Sequence, residues 1–99
     1  ADAEAAGVVL WRASGSLQCE AELTTQARLD EAVAALKAAG VAVQSAQCAQ
    51  DGRMRAAVCG TDKGEAWRVT VAAAAVDQAL TQGWRRVEPG QEITPMACR

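Results

Sequence analysis

Four cysteines, Cys19, Cys48, Cys59 and Cys98, are the residues of this chain best equipped for chemistry, because a thiol can be a nucleophile, a metal ligand or half of a disulfide. The chain has no His. That removes Ser-His and Cys-His catalysis, His-bearing zinc sites and a His general base together. An all-cysteine zinc site takes its ligands in close pairs such as C-x2-C, whereas these four lie at least eleven positions apart, so no metal is expected. No catalytic residue and no cofactor site emerge. Disulfides are the favoured use of all four, and the connectivity is read from strand parity. On "VAVQSAQC" the valines are odd-numbered and Cys48 is even; on "MRAAVCG" the apolar residues Met54, Ala56 and Val58 are even and Cys59 is odd. Both thiols then face away from the core on one hairpin, which predicts Cys48 paired with Cys59 and leaves Cys19 for Cys98. A bulge near Gly52 would reverse that parity.

Cys19 admits a sharper reading. In "VVLWRASGSLQCEAEL" the order strand, turn, Cys, helix superficially resembles the start of a glutaredoxin or thioredoxin-like domain, which would imply a thiol oxidoreductase using Cys19 or the Cys48/Cys59 pair. The C-x-x-C motif is absent. Cys19 also alternates with Leu17, Ala21 and Leu23 on one side of a strand, away from a helix N-terminus that would lower its pKa, so a buried structural half-cystine is expected. Other candidates are structural in the same way. Ser14 and Ser16 in "SGS" read as a turn, Glu20 and Glu22 as the wet face of that strand, and Asp30 with Glu31 as first-turn helix charges. Trp11, Trp67 and Trp84 are the largest apolar groups and are expected to anchor the core.

The need for staples follows from composition. The hydrophobic share of 51% is inflated by Ala, and there is no Phe or Tyr, so the 99 residues form one domain (1–99) with a thin core. Disulfides that contribute about 2 to 4 kcal/mol each would support it, and they imply an oxidising, periplasmic or secreted location. The opening "ADAEAAG" carries small residues of the kind left after removal of a signal peptide, and residues 1–6 read as a flexible acidic leader. No run is long and apolar enough for a membrane span. Net charge is −2, and the basic residues are scattered, with Arg53/Arg55 and Arg85/Arg86 the nearest groupings, which argues against nucleic acid.

The elements that must position the cysteines read as follows. "VVLWRA" and "LQCEAEL" form a hairpin; Leu29, Val33 and Leu36 recur at helical spacing between a Thr24 or Thr25 cap and Gly40. Val41 and Val43 open a strand that pairs with "MRAAVCG" through the Asp-Gly turn, and Trp67, Val69 and Val71 form a third member. "AAAAVDQALTQG" is a short helix ending at Gly83, Trp84 and Val87 begin a last strand, and residues 88–99 run over the surface as a tail tied by Cys98. The expected fold is α+β, a mostly antiparallel sheet of four to six strands with two helices on one face. It contains a ferredoxin-like βαββαβ core with an added N-terminal strand. In addition, "ARLDEAVAALKAAGVAV" followed by strands resembles the first half of SPOR domains, a likeness that implies the same element order and peptidoglycan binding. A non-catalytic exported bacterial domain that binds a protein or a cell-envelope component is therefore expected. The alternatives are a SPOR-like peptidoglycan module, a thiol oxidoreductase, or a secreted protease or lysozyme inhibitor.

Overall fold

The computed structural model of the chain describes residues 7–52 and 58–98. The β-branched and aromatic run at the start gives β1 (Gly7–Ala13), and the Leu29/Val33/Leu36 periodicity gives α1 (Gln26–Ala38). Thr25 caps α1, its hydroxyl accepting from the Arg28 amide at 3.2 Å. At the other end Gly40 takes φ 86°, and the Val41 and Gly40 amides donate to the Leu36 and Lys37 carbonyls, both at 3.0 Å. This is a Schellman closure, and it requires the left-handed backbone that glycine adopts without a Cβ clash. Asp30 and Glu31 fall just beyond the first turn and serve differently from expectation. They take a Gln26 amide at 2.8 Å and an exposed Arg28 ion pair at 3.2 Å.

After α1 come β2 (Val43–Gln50), β3 (Glu65–Ala72), a 3-10 turn (Ala73–Ala75), α2 (Val76–Thr81), β4 (Arg85–Arg86) and β5 (Thr94–Met96). All pairings among the described residues are antiparallel, and the sheet order is β4-β1-β3-β2-β5. The first four strands carry the ferredoxin-like βαββαβ order. The added strand is C-terminal, because β5 extends the outer edge of β2. "LQCEAEL" does not form the expected strand: Cys19 has φ 67°, a left-handed conformation that ends any extended run. Leu17 instead makes an isolated bridge with Asp62, flanked by Gln18 N–H donating to Thr61 O at 2.8 Å and Gly60 N–H to Gln18 O at 3.0 Å.

Alternation sorts the sheet into two faces. Val8 and Leu10 of β1 and Trp67, Val69 and Val71 of β3 meet Leu36, Val76, Ala79 and Trp84, so both helices lie on one face. β2 joins them through a bulge. Val43 pairs with Val71 but Ser45 pairs with Thr70, so Gln44 is the extra residue, and Ala46 rather than Ser45 continues the Val43 face. Cys48 is thereby turned inward to 1% exposure. β3 takes the place beside β2 that "MRAAVCG" was expected to fill. Arg53, Met54, Arg55 and Ala56 lie outside the described residues, and Val58, expected inward, is 57% exposed.

Candidate functional site

All four cysteines are paired, as Cys19–Cys59 and Cys48–Cys98. The expected pairs were Cys48–Cys59 and Cys19–Cys98, and the β2 bulge is the physical reason they fail. It places Cys48 on the helix face, where its Sγ lies 3.6 Å from the Thr24 carbonyl and its cross-strand neighbour on β5 is Met96, two residues from Cys98. Cys19 and Cys59 sit on two facing loops and are both exposed, whereas the strand reading had expected Cys19 to be buried. Among the described residues no group of three or more His, Cys, Asp or Glu side chains is placed to hold a metal ion. Nor is any helix there long and apolar enough to cross a membrane.

Below the facing loops lies a cluster that the "SGS" turn reading missed. Ser14, Ser16 and Thr24 are buried, and their hydroxyls close a triangle: Ser14 to Ser16 at 2.9 Å, Ser16 to Thr24 at 3.1 Å, Thr24 to Ser14 at 3.2 Å. Ser14 Oγ also donates to the Glu65 carbonyl at 2.9 Å, and the Thr24 amide donates to Glu22 Oε1 at 3.0 Å. Lys63 Nζ reaches Glu22 Oε2 at 3.2 Å and Glu65 Oε1 at 4.0 Å. Every hydroxyl here has a partner, which is what burial demands of a polar group. These partners tie the loop between β1 and α1 to the start of β3. They neither free a nucleophile nor supply a base, so the cluster is a structural fixture. Its only signal in the sequence is three hydroxyl residues within eleven positions, a pattern that ordinary turns share.

The helix-free face offers a different arrangement. Trp11 pairs across to Arg85 on β4 and to Arg68 on β3, and Arg68 pairs to Gln47 on β2. Cross-strand partners share a face, so Arg85, Trp11, Arg68 and Gln47 form one row across four strands. Arg68 Nη1 donates to Gln47 Oε1 at 2.9 Å, which sets the guanidinium along the row. The neighbouring row is small: Ala13, Ala66 and Ala49 run to Pro95. Where these rows meet the loops, a cleft of about 270 Å³ opens. Trp11, Ala13 and Ala66 contribute from the sheet, Arg85 and Gln91 from one side, and Asp51, Asp62 and Gly64 from the connection between β2 and β3. The Asp62 carboxylate is fixed by the Gly64 amide at 2.7 Å. A second, wider hollow of about 510 Å³ continues past Asp51 and Gln91 along Glu88–Glu92.

Trp11 was expected in the core with Trp84, which is 3% exposed, and Trp67, which packs against it; it stands instead on the opposite face. It is partly exposed, yet its Nε1 is wholly buried and has no hydrogen-bond partner among the described residues. What Trp11 offers to solvent is therefore ring carbon, not an N–H. A flat carbon surface between two guanidinium groups, with an amide at the end of the row, is suited to stacking and planar hydrogen bonding. Comparison of the chain with protein-family models, with curated proteins and with solved structures finds no match.

Proposed function

We propose that this chain is a non-catalytic, exported binding module whose helix-free face takes a carbohydrate polymer of the cell envelope, with peptidoglycan glycan as the first candidate. The row Arg85–Trp11–Arg68–Gln47 carries this reading. The exposed indole carbon would stack on the C–H face of a sugar ring, and the two arginines would hydrogen-bond hydroxyls or the carboxylates that such polymers bear. Asp51, Asp62 and Gln91 at the cleft supply acceptors and an amide beside the same ring. Export is supported by the two disulfides, which persist in oxidising compartments. The βαββαβ order and the "ARLDEAVAALKAAGVAV" helix support the SPOR-like version of the reading.

The test is co-sedimentation with purified peptidoglycan sacculi. Trp11→Ala should lower retention by at least about tenfold, in the range that loss of one stacking anchor gives, and Arg68→Ala with Arg85→Ala should weaken it and flatten its salt dependence. Wild-type protein that stays in the supernatant, or a Trp11→Ala variant retained as well as wild type, refutes the assignment.

A further inference from the structure

We infer that the Cys19–Cys59 bridge is a reducible latch on the cleft, opened by a dithiol while Cys48–Cys98 stays closed. Its effect on binding rests on the reading above; the selective opening does not. Thiol–disulfide exchange needs a thiolate to reach one sulfur in line with the bond, so access decides which bridge reacts first. Cys19 and Cys59 are both exposed, on loops, whereas Cys98 is half-buried and Cys48 is 1% exposed and seated under the Thr24 carbonyl. Cys19 is also the one described non-glycine residue with positive φ, at 67°, a conformation that its surroundings must enforce and that opening would relax.

The bridge holds something that the cleft uses. The segment from Gly60 at φ 86° to Gly64 at φ 76° follows Cys59 directly, and it carries Asp62 and Gly64 on the cleft wall facing Trp11. Apart from the bridge, Gly60 and Thr61 are joined to Gln18 by two backbone hydrogen bonds, both beside exposed residues. Lys63 stays anchored through its amide to Ser16 O at 3.0 Å and its ammonium to Glu22. Opening would thus remove the covalent tie on residues 58–62, leave them held by non-covalent contacts alone, and leave β3 in place. In the reaction one thiolate of the dithiol attacks a sulfur of the bridge and the other cysteine leaves as thiolate. The second thiol of the dithiol then displaces the protein thiol from the mixed disulfide. The dithiol ends oxidised to its disulfide, and Cys19 and Cys59 end as two thiols, having gained two electrons and two protons.

The experiment treats the whole native protein with dithiothreitol, alkylates at intervals and maps the modified cysteines. Cys19 and Cys59 should be labelled at least about tenfold faster than Cys48 and Cys98, as accessible bridges are reduced before shielded ones. Equal rates, or Cys48–Cys98 opening first, overturn the proposal. Hydrogen exchange on the selectively reduced protein should accelerate at the Gln18 and Gly60 amides and not within β1 and β3; continued protection at those two amides also overturns it. Retention on sacculi should fall at least about fivefold on selective reduction, a change of the size expected when one wall of a site becomes mobile. Unchanged retention refutes the link to the cleft, whereas oxidised protein that never binds sacculi refutes the glycan reading and leaves labelling and exchange to decide the latch.

Discussion

Removing Cys48–Cys98 should harm this protein more than removing Cys19–Cys59, although chain entropy alone ranks them nearly equal. The bridges close 50 and 40 positions. The loop-entropy relation gives about 4 kcal/mol for either. The difference lies in what surrounds the sulfur. Cys48 is 1% exposed between Trp67 on β3 and Met96 on β5, so a Cys48→Ala/Cys98→Ala variant leaves a cavity there and frees a three-residue edge strand. That adds about 1 to 2 kcal/mol to the entropic loss. Cys19→Ala/Cys59→Ala empties no buried space and relieves the left-handed residue at φ 67°. Urea titrations of both double variants, followed by far-UV circular dichroism, should place Cys48→Ala/Cys98→Ala lower by that margin. Its melting temperature should fall by about 25 to 30 °C from wild type. A Cys19→Ala/Cys59→Ala variant as unstable as the other, or more so, would refute the claim that burial separates the two bridges.

Three further outcomes follow from the packing. Ser16→Ala should cost about 1 to 3 kcal/mol in urea unfolding, because the fully buried Ser16 hydroxyl joins Ser14 to Thr24 and its loss leaves those groups short of a partner; a cost below about 0.5 kcal/mol would show that the triangle is not a fixture. Gly40→Ala should cost about 1 kcal/mol through backbone strain alone, since a Cβ there meets nothing within 4 Å at φ 86°; a neutral result in thermal melts would contradict the left-handed closure of α1. Leu36→Ala, at 0% exposure in the cluster under both helices, should cost about 2 to 5 kcal/mol, and a smaller loss in calorimetry would place Leu36 outside the core.

What was legible in the sequence was whatever local physics decides. The α1 boundaries follow from the Thr25 cap and Gly40, and the α+β class follows from strand and helix runs of ordinary length. The disulfide pairing was not legible, since a single extra residue at Gln44 inverts the parity of everything after it, and nothing in "VAVQSAQC" marks a bulge. A parity reversal was tied to a bulge near Gly52, whereas the bulge that reverses it lies at Gln44. Cys19 was misread because "LQCEAEL" alternates like a strand, while its actual conformation is imposed by the bridge to Cys59 and by contacts with residues 60–63. The Arg85–Trp11–Arg68–Gln47 row was invisible for another reason. It draws on four strands far apart in sequence, and only their register brings those side chains into line.

The bridges interlace: in chain order the first cysteine joins the third and the second joins the fourth. An unfolded, reduced chain meets its partners by proximity, and Cys48 encounters Cys59, eleven positions away, far more often than Cys98, 50 positions away. The closure penalty differs by about 1.3 kcal/mol, nearly tenfold in favour of the non-native pair. That first-formed pair consumes one cysteine from each native bridge, so neither correct bond can close until it is broken. Oxidation of the reduced chain should therefore pass through Cys48–Cys59, with the native bridges reached by reshuffling of that bond.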